Sequence, residues 1–127
     1  MNYKRCMHTA SLLPNGKVLV AGGYTLGGPH SSTQLYNPLT GNWSLTGSMS
    51  ISRYQHTASV LSNGKVLVNS GFSDGESFVN SSELYDPVTG TWKLVASMPS
   101  PARLHATVSL KNGKLLVTVA LMNIEML

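Results

Sequence analysis

The chain repeats itself. Arg5-x-x-His8-Thr9-Ala10-Ser11 returns as Arg53-x-x-His56-Thr57-Ala58-Ser59, and Asn15-Gly16-Lys17-Val18-Leu19-Val20 as Asn63-Gly64-Lys65-Val66-Leu67-Val68. Leu35-Tyr36-Asn37-Pro38 returns as Leu84-Tyr85-Asp86-Pro87, and Thr40-Gly41-x-Trp43-x-Leu45 as Thr89-Gly90-x-Trp92-x-Leu94. A third copy opens at Met98, keeps His105 and Asn112-Gly113-Lys114-Leu115-Leu116-Val117, and then degenerates. The units are therefore 1–48, 49–97 and a partial 98–118, followed by a tail, 119–127, that matches nothing in the repeat. A period near 49 residues means that one supersecondary unit buries its apolar face against its neighbours.

Each unit reads as four short strands. In the first copy these are His8–Leu13, Lys17–Ala21, a third near Thr33–Asn37, and Asn42–Thr46. Asn15-Gly16 predicts a tight hairpin with both central residues at positive φ. Asn37-Pro38-Leu39-Thr40-Gly41 predicts a second turn. Short connections make an antiparallel meander, and no stretch has helical periodicity of useful length. The first strand is rich in small residues (Thr9, Ala10, Ser11), the second is a continuous apolar run (Val18-Leu19-Val20), and the fourth carries Trp43. An unbroken apolar strand is covered on both faces. Small residues on the inner strand and bulk on the outer one suit wedge-shaped blades around an axis, a β-propeller arrangement.

The Arg-x-x-His start, the Gly22-Gly23 doublet, and Tyr36 followed seven residues on by Trp43 resemble the kelch repeat, and the period agrees. The resemblance covers roughly residues 1–118 and implies all-β, kelch-type propeller blades, each a four-stranded antiparallel meander. Two departures stand out. Copy two has Ser70-Gly71 at the doublet, where one glycine is expected to supply the positive φ. Copy three has Val119-Ala120 there, so its second strand is expected to end poorly.

Closed propellers need at least four blades. Four units of about 49 residues come to 4 × 49, about 196 residues, against 127 here. The expectation is an incomplete or open propeller: a fragment of a longer array, or a chain that completes the ring by self-association. A truncated, nonfunctional copy is a further alternative.

In a meander whose strands run A to D outward from the axis, the A–B and C–D turns share one face. The B–C loops and D–A connections share the other. The turns repeat closely, whereas the B–C loops diverge: Tyr24-Thr25-Leu26-Gly27-Gly28-Pro29-His30-Ser31 against Phe72-Ser73-Asp74-Gly75-Glu76-Ser77-Phe78-Val79. Binding residues tend to sit on loops held by a rigid frame, and the resemblance implies protein partners on that face. The expected partner surface is Tyr24, His30, Arg53, Tyr54, Phe72, Asp74, Glu76, Phe78 and Arg103. Arg5 and Arg53 have two readings, a ring capturing an acidic motif or a repeated structural hydrogen bond between blades, and recurrence favours the second. His8, His56 and His105 lack acidic companions and read as imidazoles hydrogen-bonded to a neighbouring blade rather than metal ligands.

Nine Lys/Arg against five Asp/Glu leave a net charge of +4. The geometry splits this excess. Lys17, Lys65, Lys111 and Lys114 fall on the turn face, while Lys4, Arg5, Arg53 and Arg103 on the loop face are diluted by Asp74 and Glu76. Neither face is a phosphate-tracking patch, so no nucleic-acid partner is expected. No apolar run approaches a membrane span and no leader-like segment is seen, so no membrane partner is expected and the default compartment is cytoplasmic. Cys6, the one cysteine, has His8 two residues on, hence on one face of a possible strand, but no third orienting group or pocket, and its counterpart is Tyr54. The expectation is a protein-interaction scaffold, not an enzyme, with no cofactor. The rival is a piece of a galactose-oxidase-like copper enzyme, for which no convergent Tyr/His set stands out.

Overall fold

The computed structural model describes residues 4–95 and the strands 106–109, 115–119 and 122–126. The first unit holds β1 (Thr9–Leu12), β2 (Val18–Ala21), the short β3 (Tyr24–Thr25) and β4 (Gly28–Pro29), β5 (Thr33–Asn37) and β6 (Asn42–Thr46). The second holds β7 (Thr57–Val60), β8 (Val66–Asn69), β9 (Ser82–Asp86) and β10 (Thr91–Val95). The sheets run β1-β2-β5-β6 and β7-β8-β9-β10, every neighbour antiparallel. These are the expected four-stranded meanders, and the fold is all-β, consistent with kelch blades in an incomplete propeller.

The A–B hairpin differs in detail from the expected turn. Only glycine is left-handed there (Gly16 φ 85, Gly64 φ 84); the asparagines are not. Instead the Asn15 side chain accepts from the Lys17 amide at 3.0 Å, and Asn63 from Lys65 at 3.1 Å. The Gly16 amide donates to Leu13 O, and Leu13 N to Lys17 O. A turn closed by one left-handed glycine adds a residue to the loop, and proline at position 14 suits its start.

The apolar core lies between the blades. Leu13 and Leu19 of the first meet Val66 and Tyr85 of the second, with Leu35, Ala58, Val60 and Trp92 packed around them. Polar ties cross the same boundary. The Trp92 indole N–H donates to Gly47 O (2.9 Å), Thr46 Oγ1 shares a hydrogen bond with the Tyr85 hydroxyl (2.8 Å), and Gly47 N donates to Gly90 O (3.0 Å). Thr9 Oγ1 lies 2.9 Å from His56 Nε2, so the repeated histidine does reach the neighbouring blade. Within each blade the Tyr and Trp of the signature are cross-strand partners, Tyr36 with Trp43 and Tyr85 with Trp92, with ring centroids 4.9 and 5.1 Å apart.

The doublet position needed more than one glycine. Gly22 and Gly23 take φ of 63° and 103°, and in copy two Ser70 itself takes 59° beside Gly71 at 93°. The bend requires two consecutive left-handed residues, so Ser70 adopts a conformation that costs a side-chain-bearing residue about 1–2 kcal/mol. In the third unit β11 (Ala106–Ser109) pairs with β12 (Leu115–Val119), and β13 (Met122–Met126) returns along β12 with Val119 opposite Met122. Only two residues separate that pair, where the complete blades carry the long B–C loop.

Candidate functional site

The D–A connections and B–C loops meet on one face, joined by backbone. Cys6 and Tyr24 exchange amide hydrogen bonds (3.0 and 2.8 Å), and their counterparts Tyr54 and Phe72 do the same (3.0 and 2.9 Å). Just after each bridge the chain turns through a left-handed residue, Met7 (φ 57) and Gln55 (φ 52), and the Gln55 amide donates to Met7 O. Both blades thus present their loops by the same backbone device.

Four of the expected partner residues come together as a row of rings. Tyr24 and Tyr54 meet edge to face across the blade boundary, centroids 5.1 Å apart and planes at 76°. Tyr54 stacks on Phe72 at 5.6 Å, and Phe72 packs against Phe78 at 4.8 Å. Such pairs are worth about 0.5–1.5 kcal/mol each beyond area burial. The row is nevertheless open to solvent at both ends, with Tyr24 42% and Phe78 47% exposed.

Arg53 does not belong on that surface. It is wholly buried and donates to Ser70 O, Ser81 O, Ser81 Oγ and Glu83 Oε2, the last at 2.8 Å. It pins the two ends of its own blade's B–C loop. Its backbone meanwhile grips the preceding blade, accepting from Gly23 N and donating to His30 O. Arg5 repeats the arrangement with Gly22 O, Ser32 O and Ser32 Oγ. The arginines are structural, but the expected side-chain bond between blades is not what forms: both guanidinium groups bond within their own blade, and the Arg53 backbone makes the crossing contacts. A buried guanidinium is costly unless paired. Burial lowers the Arg53 pKa, and the Glu83 hydrogen bond and charge oppose that shift.

The remaining candidates divide. His30 is half-buried, its Nδ1 2.7 Å from Ser32 Oγ, so it shapes its loop. Asp74 is exposed on a short 3-10 turn, Asp74–Glu76, whose ends are tied by Ser73 N to Ser77 O. Glu76 belongs to the same turn. Arg103 lies outside the described residues.

Sequence reasoning passed over Glu83 and Met7. Glu83 is wholly buried, and besides Arg53 it accepts from the amides of Ser50 and Ile51 (2.6 and 3.2 Å), locking the D–A connection to its blade. The signal was present: Glu83 and Gln34 occupy the same position on the inner flank of strand C, where isosteric polar residues recur without a solvent-facing pattern. Met7, half exposed and left-handed, lies beside the rings. His8 is partly buried, with Nδ1 unpartnered, and its pKa is lowered by burial and secondarily by the Arg5 charge.

Residues 5–50 and residues 53–99 each match a family model of the kelch motif, beginning at Arg5 and Arg53, the same position of the repeat. No curated protein matches the chain.

Proposed function

The chain is a kelch-repeat protein, with two repeats matched, and from that premise we propose that it binds protein partners through its B–C loops and D–A connections. Kelch repeats are commonly protein-interaction scaffolds. The observation that carries the reading is the ring row Tyr24–Tyr54–Phe72–Phe78, which spans both blades and joins residues of the divergent B–C loops through Tyr54 of the D–A connection. Aromatic side chains held rigid by backbone bridges give large contact area at low entropic cost, the property of interface anchors. Arg53 and Arg5 serve as the frame that holds these loops.

The test uses the chain as bait with two variants. Tyr24→Ser/Phe78→Ser removes the exposed ends of the row, and Lys17→Ser changes the turn face. Partners retained by the Lys17 variant and lost by the double variant support the reading. Equal retention by both refutes it.

Self-association is a second part of the proposal. Val66, Tyr85 and His56 are buried against blade one, whereas their counterparts Val18, Tyr36 and His8 are only partly covered on its opposite side. A blade supplied by a second copy fits that side, and light scattering of the purified chain tests it: a strict monomer across the micromolar range refutes self-association.

A further inference from the structure

Beside the ring row is a cavity of about 350 Å3 lined by Met7, Tyr24, Pro29, Tyr54, Ser73 and Gly75. The two tyrosines stand nearly perpendicular, so their rings form two walls of a corner. None of the described lining residues is charged. Asp74, however, sits in the chain between two of them, is exposed, and makes no ion pair among the described residues. Among the other acids, Glu83 is committed to Arg53, Asp86 lies 3.7 Å from Lys65, and Glu76 closes the same short turn as Asp74. Asp74 is thus a local negative charge on a chain of net charge +4. Tyr24 also lines a second cavity, of about 400 Å3, together with Lys4, Arg5, Cys6, Thr25 and Leu26.

Taking the interaction reading above as its basis, we propose that the Tyr24/Tyr54 corner receives a cationic side chain, arginine or lysine, from an extended segment of a partner protein. Ring faces carry the negative part of the aromatic quadrupole and attract a cation within about 6 Å of the centroid. Met7 and Pro29 cover its aliphatic stem, as apolar surface does for long basic side chains. Asp74 supplies the compensating charge at the lip. An acidic side chain meets repulsion from both the ring faces and Asp74, and an apolar one leaves Asp74 partly desolvated without a partner. Lys4, exposed at the second cavity, repels a cation from there and so favours the corner.

The experiment is an amide NMR titration of the whole chain with the capped pentapeptide Gly-Ser-Arg-Ser-Gly, and with versions carrying citrulline or glutamate at the centre. The arginine peptide is expected to give saturable shifts at Tyr24, Tyr54 and Gly75. Citrulline, planar but uncharged, should bind about tenfold more weakly. Asp74→Asn should weaken the arginine peptide about threefold with the fold unchanged, and Tyr24→Leu should weaken it at least as much. The cation proposal is overturned if the arginine peptide gives no saturable shifts at tens of millimolar, if Asp74→Lys leaves its affinity unchanged, or if the glutamate peptide binds as tightly at the same residues. That last result leaves the interaction reading standing. Loss of loop-face dependence in the bait experiment removes that reading, whatever the peptides do.

Discussion

Removing the Glu83 carboxylate should destabilise the second blade more than any surface change. Arg53 and Glu83 are both wholly buried and 2.8 Å apart. In Glu83→Ala the guanidinium keeps its carbonyl acceptors at Ser70 and Ser81 and loses its only carboxylate partner among the described residues. Breaking a buried pair by removing one member costs about 3–5 kcal/mol, because the survivor is left uncompensated. The amides of Ser50 and Ile51 also lose their acceptor; Ser50 is exposed and Ile51 partly so, which lets water replace much of that loss. The expected total is about 4 kcal/mol, a large part of a domain's typical 5–15. With a urea slope of about 2 kcal/mol/M, the midpoint falls by about 2 M. Tryptophan fluorescence reads it directly, since Trp92 pairs with Tyr85 two residues along the strand from Glu83. Glu83→Gln keeps the shape and one acceptor and should cost about 2 kcal/mol. Blade one already carries the amide at this position, in buried Gln34. Replacing both partners, Arg53→Met/Glu83→Met, should recover part of the loss, because no buried charge then remains. A Glu83→Ala protein within about 1 kcal/mol of the parent would refute the claim that Arg53 depends on this carboxylate.

Ser70→Gly should stabilise by about 1 kcal/mol in the same assay, relieving a left-handed residue whose buried hydroxyl has no partner among the described residues. Gly22→Ala should lose about 2 kcal/mol or more, since a Cβ there lies 2.5 Å from Arg53 O at φ +63. Trp92→Phe should cost about 1 kcal/mol by removing the indole donor from Gly47 O, which keeps the Thr33 hydroxyl as a donor, and Trp43→Phe measurably less, because the Trp43 indole has no hydrogen-bond partner among the described residues. His8 binds its proton less readily when folded than at its ordinary value of 6.5. The unfolded chain therefore takes up the proton first as pH falls through that value, and stability drops on acidification. His8→Asn should flatten the pH dependence between about pH 7 and pH 5.5, read as urea midpoints.

The strands were legible because two independent signals coincided. Thr33–Asn37 and Asn42–Thr46 were bounded by turn residues on both sides and ended where those residues begin, so their limits match residue for residue. The first two strands came out shorter than expected, Thr9–Leu12 and Val18–Ala21, since the left-handed glycine lengthens the intervening loop. Repetition also identified the histidine as a blade-to-blade contact before any geometry was in view. It could not separate a residue repeated for the frame from one repeated for a ligand when both would be arginine. Arg53 stands in the sequence beside Tyr54, which does reach the ring row, and neighbours along a strand point to opposite faces. The direction of one guanidinium, inward to Glu83, follows from burial that only the packed blades define.

That distinction bears on how a two-blade surface can evolve. Arg5 and Arg53 anchor the loop ends by contacts that largely use main-chain carbonyls, at Gly22 and Ser32 or Ser70 and Ser81, which any sequence supplies. The intervening residues are thereby relieved of holding the loop in place. Blade one fills the interval with a small β-hairpin, Tyr24 opposite Pro29, and blade two with a 3-10 turn and Phe78 bridged to Phe72. Two unlike loops on one clamp can still join their rings, because each clamp also fixes the bridge that presents Cys6 or Tyr54. Variation in the loops alters what the face offers, while the contacts that carry blade stability lie elsewhere. Ring substitutions should accordingly change binding with small shifts in urea midpoint, and clamp substitutions should do the reverse.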